Sequence, residues 1–365
     1  MQRLRDISQG VLPQSMVPWP IPSRFQHCVG VCHLMDYALR TNRETSKQYE
    51  TLLLVSALLH DAGNPALSHL GETFLKKQTG KDGESFLEET ISRFAVTHMF
   101  DRLGIDPEQV VKIVTGNRKP FSDILNGSMD VDNLDNVGRY WFARSYGEIL
   151  FDAESIASRF GLITFSDPQI NDKWFLCAEC IEETQKWQTA RAHVYEKIYG
   201  EYDLNSASMI YRALYLAQER GEINEDFFHL SDTEAVDFLF RSNYLSAHLV
   251  RRAMANEWYP LVYSLKTTEP PAGLTRLLRQ NDARSLVADY MSEQLAIPTS
   301  VVCCYAGKGR DVRRIELPFV SETGHITFDE SDPKPVYRFN IYLDPDYVND
   351  DRVSELTRLA NHLIQ

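Results

Sequence analysis

The chain has 365 residues, 43% of them apolar and 24% charged, with 38 Lys and Arg against 51 Asp and Glu. That length supports a sizeable buried core, and 11% aromatic residues exclude disorder as a description of the whole chain. The formal net charge of −13 excludes a broad basic surface for duplex nucleic acid or anionic lipid.

At about 150 residues per domain the length suggests two to three units. The opening MQRLRDISQG lacks the apolar stretch of a signal peptide. The longest near-apolar run, Leu52 to Leu59, is far below the roughly 20 residues that span a bilayer. Six cysteines are too sparse for a disulfide framework, so a cytoplasmic protein with no membrane partner is expected. Cys177 and Cys180 form a CxxC with no second pair to complete a zinc site, and they read as buried thiols.

Up to about residue 265 the pattern is helical. Residues 24–40 place His27, Val31, Leu34 and Ala38 on one face. A second helix over 45–61 becomes wholly apolar before Gly63 and Pro65 stop it. Helices are expected over 83–100, 107–115, 130–145, 174–200, 206–219 and 232–264, and TTEPPAG at 267–273 reads as a boundary. Beyond it, after a helix near 281–295, the β-branched and aromatic stretches 300–306, 313–320 and 336–343 read as strands. A helix over 350–364 closes the chain. The expectation is a mainly α protein, with a large helical domain over 1–266 and a small α/β domain over 274–365.

Four of the ten histidines, His27, His33, His60 and His69, fall within the first 69 residues. His60 and Asp61 end an apolar helix, where an unpaired polar group costs about 1–3 kcal/mol. A divalent cation satisfies both, because imidazole and carboxylate are its usual ligands. His27 lies on the core side of its helix, and the acidic cluster Asp130, Asp132 and Asp135 supplies further oxygens. Helix capping is the competing explanation for Asp130 and Asp135.

The series RFQHCVGV, LLHDAGNPALSH and MDVDNLDNVGRYWF resembles the HD-domain phosphohydrolases. QRLRDISQG at the start narrows the resemblance to the branch similar to the SAM-and-HD-domain deoxynucleoside triphosphate triphosphohydrolase and its bacterial relatives. That branch reads QRLR-x-I-x-Q, RFEHSLGV, HDxGHxPFSH, a HE pair, IDxDxxDYxxRD and R-x7-Y. The likeness covers roughly residues 2–265. It implies an HD-domain helical bundle with a small α/β C-terminal subdomain and one divalent metal ion held by His27, His60, Asp61 and Asp132. Mn, Fe, Mg, Co, Ni and Zn all suit two imidazoles and two carboxylates. It also implies that Arg24, Arg139 and Arg191 contact phosphate, that Gln9 reads the sugar 3′-hydroxyl, and that Tyr199 packs on the sugar.

The departures are specific. Asn64 stands where the family has a phosphate-facing histidine, and Gly83-Glu84 replaces the HE pair. Asn133, Asn136 and Tyr140 replace the family's Lys, Tyr and Asp, and Glu201 replaces a histidine. Without the HE histidine, the candidates for proton transfer are His69, then Glu72, then Glu84. The resemblance implies a nucleotide substrate, with dNTP cut to deoxynucleoside plus triphosphate as the leading reaction, and assembly into a homo-oligomer. Two alternatives stay open: a degenerate HD protein that binds nucleotide and regulates a partner, and a nucleotidase, phosphodiesterase or nuclease with another substrate. Nucleic acid is not the favoured partner, since no basic-aromatic track is evident. The basic segment 307–314 reads as an exposed hairpin or as an allosteric phosphate contact.

Overall fold

The structure, a computed structural model, describes residues 1–42, 47, 49–94, 97–145, 147–163, 173–280, 282–309 and 313–365. The Arg24–Thr41 helix opens with a capping box. The Ser23 hydroxyl accepts from the Gln26 backbone N–H, and the Gln26 side chain accepts from the Ser23 N–H. Its buried Cys28, Val31, Leu34, Met35 and Ala38 recur at three- and four-residue spacing. They pack against the apolar Glu50–Leu59 helix and against Val131–Arg144. Residues 45, 46 and 48 of the expected second helix lie outside the described residues.

After Leu59 the chain turns sharply, with the Ala62 N–H donating to the Leu59 carbonyl at 2.8 Å and the Asn64 N–H to the Asp61 carbonyl at 3.0 Å. This turn keeps His60 and Asp61 buried at the end of the helix. The expected 83–100 helix is two helices, Leu87–Arg93 and Thr97–Leu103, with residues 95 and 96 outside the described set. The Glu201–Glu219 helix, buried at every position from Leu204 to Ala217, runs through the centre of a second core.

Three stretches differ from expectation. Residues 174–177 are strand, not helix: Lys173–Cys177 pairs with Phe160–Ile163, and the helix starts only at Ile181. The alternation of buried Trp174 and Leu176 with more exposed neighbours is a period of two. The helical pattern expected to 264 ends at Met254, followed by Asn256 in the left-handed region (φ 56°) and by Pro260. Leu261–Thr267 is then a strand. Of 313–320 only Phe319–Val320 is strand, joined in parallel to Leu176–Cys177. The preceding Pro318 lacks the N–H that would extend the ladder.

In the C-terminal region Val336–Leu343 is the centre of a three-stranded sheet, antiparallel to Leu261–Thr267 on one side and to Val302–Gly309 on the other. The sheet therefore begins ahead of the breaker at 267–273. One sheet face sends Cys303, Tyr305 and Tyr342 into the core around Glu201–Glu219, and the other packs Cys304, Ala306 and Ile341 beneath Ala283–Gln294 and Asp350–Ile364. Burial on both faces explains the unbroken apolar run at 301–306. Among the described residues no helix is long and apolar enough to cross a membrane.

Arg212, 1% exposed, ties these two regions together. It donates to the Thr299 carbonyl at 2.9 and 3.1 Å and to the Ser285 carbonyl at 3.4 Å, and it pairs with Asp289. Arg212→Met should lower stability by about 3 kcal/mol, because buried acceptors lose a charged donor. A fall in the urea midpoint checks this.

Candidate active site

The ends of three elements place His27, His60, Asp61 and Asp132 together. Asp130 caps the Val131–Arg144 helix, accepting from the Asn133 N–H at 2.6 Å. That leaves Asp132, in the first turn, pointing at the histidines. Asp132 Oδ1 lies 2.9 Å from His27 Nε2 and 3.8 Å from His60 Nε2. Asp61 Oδ2 lies 3.7 Å from His27 Nε2 and 3.6 Å from His60 Nε2, and the two Nε2 atoms are 3.2 Å apart.

The separations among His27, His60 and Asp132 suit one cation, and Asp61 joins them through His60, beside which Cys28 also lies. Bonds of about 2.1 Å place neighbouring donors roughly 3.0 Å apart in an octahedron and about 3.4 Å apart in a tetrahedron. The other nitrogen of each ring is occupied: His27 Nδ1 faces Asp135 Oδ2 at 2.8 Å, and His60 Nδ1 faces the Ala57 carbonyl at 2.7 Å. Each ring thus donates through Nδ1 and presents Nε2 to the centre. Burial opposes charge on His27, but Asp132 and Asp135 outweigh it and raise its pKa to about 10. Burial opposes charge on His60 as well, yet Asp61 and the neighbouring Cys28 lift it to about 10. The residues fit a divalent cation, which would take the place of those protons.

The carboxylates are held from behind. Arg24, 5% exposed, donates from Nη1 to Asp61 Oδ2 at 2.5 Å and from Nε to Ser68 Oγ at 3.0 Å. The Ser68 hydroxyl in turn donates to the Ser8 carbonyl at 2.6 Å. Asp61, despite burial, is held well below the usual carboxylate range by Arg24, His60 and His27. Arg139 donates to both oxygens of Asp135, at 2.9 and 2.6 Å, so its guanidinium supports His27 through that carboxylate. Gly30 makes this close approach possible, since a Cβ there would overlap Asp135 Oδ1 and Arg139 Nη2.

The two departures at Asn64 and Gly83 are physically one. Asn64 Nδ2 donates to Asp61 Oδ1, and Asn64 Oδ1 fills the space that a Cβ at Gly83 would need. Asn64 therefore orients a carboxylate of the cluster where the family histidine was expected to face phosphate. Among the proton-transfer candidates, His69 Nδ1 contacts Glu72 Oε2 at 3.3 Å, and Glu72 Oε1 accepts weakly from the Gly83 N–H at 3.4 Å. The His69 bond, against partial burial, lowers the Glu72 pKa. Glu84 is exposed, and partial desolvation by the surrounding protein, with Asp82, Asp132, Glu72 and Asp61 nearby, raises it to about 7.

Beside the cluster lies a cavity of about 340 Å³ lined by Gln9, His69, Asn136, Tyr140, Tyr195 and Tyr199, with Asp203, Arg284, Tyr305 and Lys308 on further walls. The four cluster residues are not part of its lining. Two helical rows connect the places. Asp132, Asn136 and Tyr140 follow one another at four-residue steps, as do Arg191, Tyr195 and Tyr199. Arg191, 2% exposed, stacks on the Tyr195 ring at 4.0 Å. Gln9 is 7% exposed, and both its amide atoms are buried without a hydrogen-bond partner. Asp203 and Arg284 were not legible as parts of this site, and neither was the support that Asp135 gives to His27. The four-residue step from Asp132 through Asn136 places Tyr140 on the same helix face.

Residues 24–140 match the family model described as HD domain. An uncharacterized protein of Methanocaldococcus jannaschii is 29% identical over 257 residues, 69% of this chain and 52% of that protein. A deoxynucleoside triphosphate triphosphohydrolase SAMHD1 homologue of Dictyostelium discoideum is 26% identical over 166 residues, 40% of this chain and 32% of its own. The chain spans about half the length of the first curated relatives it matches. Among solved structures, a hypothetical protein from Aquifex aeolicus superposes with TM-score 0.68 at 18% identity, over 100% of this chain and 92% of that one. A phosphohydrolase from Bacteroides thetaiotaomicron gives 0.63 at 17%, over 94% and 92%. At these identities the two structures speak for the fold alone.

Two outcomes follow from the geometry. A cation must displace protons from His27 and His60, so Mn²⁺ affinity measured by calorimetry should rise steadily with pH between about pH 6 and about pH 9; a flat profile contradicts the ligand set. Gly30→Ala should disturb Asp135 and weaken metal binding by about 10- to 100-fold, the usual effect of losing an outer-shell partner, read in the same titration.

Proposed function

We propose that this chain, whose residues 24–140 match the HD domain family model, is a metal-dependent phosphohydrolase acting on nucleotides, with a deoxynucleoside triphosphate, cut to deoxynucleoside and triphosphate, as the leading substrate. The observation that carries the reading is the pair of buried imidazoles that turn Nε2 toward each other and toward Asp61 and Asp132. A divalent cation bound there supplies Lewis-acid activation of a phosphoryl oxygen and of water. The residues that would hold it are His27, His60, Asp61 and Asp132.

The chain's own groups do the rest. Arg24 keeps Asp61 ionised and fixed. Arg139 and Asp135 fix the His27 ring. Gln9, Tyr140 and Tyr199 line a cavity whose size lies within the range for small-molecule sites. The unpartnered Gln9 amide suits a sugar hydroxyl, which donates to Oε1 and accepts from Nε2. His69, oriented by Glu72, lines the same cavity and is the group of choice for protonating a leaving oxygen. Glu84, with a pKa near neutrality, is the second. Arg191 sits one turn before Tyr195, at the cavity end nearer the cluster, where a planar guanidinium suits phosphate oxygens.

The experiment is incubation of the full chain with a nucleotide panel and Mn²⁺ or Mg²⁺. Inorganic triphosphate from a dNTP is the expected product, and orthophosphate from monophosphates would overturn the dNTP reading. Asp61→Ala should remove bound metal and lower turnover by at least about 10³-fold, an activated-water contribution of several kcal/mol.

A further inference from the structure

The lining of the 340 Å³ cavity has an asymmetric charge. On the side of the His27, His60, Asp61 and Asp132 cluster two arginines already face carboxylates, Arg24 on Asp61 and Arg139 on Asp135, and Arg191 stacks on Tyr195. Asp203, the cavity's own carboxylate, is paired with Arg144 at 3.0 Å. The remaining cationic side chains of the lining are Arg284 and Lys308, both from the C-terminal region. Among the described residues neither has a carboxylate partner. Arg284 donates from Nε to the Ala306 carbonyl at 3.2 Å, and its guanidinium lies 4.5 Å from the Tyr305 ring centre and 5.2 Å from that of Tyr211. Two aromatic faces and one carbonyl hold the group in place while its Nη1 and Nη2 donors remain uncommitted. Lys308 is exposed at the end of the Val302–Gly309 strand, at the rim of the same cavity.

Position supports the same conclusion. Asn136 and Tyr140 lie four and eight residues beyond Asp132 on one helix, about 6 and 12 Å along its axis. The cavity therefore extends away from the cluster, and it is entered from the C-terminal region by Arg284, on the Ala283–Gln294 helix, and by Lys308, on the Val302–Gly309 strand. Gln9, buried with both amide atoms unpartnered, independently marks the cavity as a place for a polar ligand. A polyanion lying between cluster and sheet meets cationic charge at both ends.

We propose that Arg284 and Lys308 bind a second phosphate of the nucleotide, remote from the phosphate held at the His27, His60, Asp61 and Asp132 cluster. This rests on the nucleotide reading of the cavity given above. The second phosphate is either the distal part of a 5′-polyphosphate chain or a 3′-phosphate, and both present the same dianionic oxygens to a guanidinium and an ammonium.

Equilibrium binding of the full chain to dAMP, dATP and deoxyadenosine 3′,5′-bisphosphate, measured by calorimetry in EDTA, tests it. EDTA suppresses metal-dependent turnover, so this inference and the hydrolytic reading fail separately. The expected result is that dATP or the bisphosphate binds at least about tenfold more tightly than dAMP, the worth of one charge-assisted contact. The preferred one of the two identifies which phosphate is bound. Arg284→Gln should cut that ratio about tenfold, and Lys308→Gln, at a more exposed position, about threefold. Lys308 is paired with Tyr337 through the strand backbone and its side chain makes no hydrogen bond or ion pair among the described residues, so its variant keeps the fold even where Arg284→Gln lowers the melting temperature. Equal affinity for all three ligands, ratios unchanged in both variants, or no nucleotide bound in EDTA by a chain that hydrolyses it with Mn²⁺ would each overturn the proposal.

Discussion

Two buried imidazoles face one another across 3.2 Å, each with its far nitrogen already bonded. That arrangement is stable only when positive charge lies between or on the rings, and the surrounding structure is built to meet the condition. Asp61 and Asp132 bring negative charge to the same point, while Asp135 stands behind His27. Arg24 and Arg139 balance the carboxylates from outside. The helix ends follow from this demand: the Arg24–Thr41 helix places His27 on its buried face, the Glu50–Leu59 helix must stop where His60 and Asp61 emerge, and Asp130 must cap so that Asp132 faces inward.

The second constraint is the junction between the helical region and the C-terminal sheet. A sheet with both faces buried needs two cores, and the Glu201–Glu219 helix supplies the partner on one side. Arg212 crosses the same junction and satisfies carbonyls of the C-terminal region. The cavity beside the His27, His60, Asp61 and Asp132 cluster has walls from both regions, so its shape depends on their docking. The small second sheet works in the same sense, because Phe319–Val320 returns from the C-terminal region to extend Lys173–Cys177.

Much of this was legible. The His27, His60, Asp61 and Asp132 grouping could be read because each residue sits at a helix face or helix end where a polar side chain is out of place. The strands over 302–306 and 336–343 were readable from β-branched and aromatic runs. The misreadings share a cause: at 174–177 and 261–264 the residues suit either element, and pairing with distant strands decided the outcome.

By itself the sequence determined the candidate site residues, their order along the chain and the helices that carry them, because those depend on local periodicity and on the chemistry of each side chain. Tertiary structure alone decided the roles of the supporting groups. Arg139 supports His27 through Asp135, and Asn64 bonds Asp61 while occupying the space left by Gly83. Arg284 and Lys308, far along the chain from the cluster, line the adjoining cavity. Each of those facts is a contact between residues distant in sequence, fixed by how helices and sheet pack, and no local pattern encodes it.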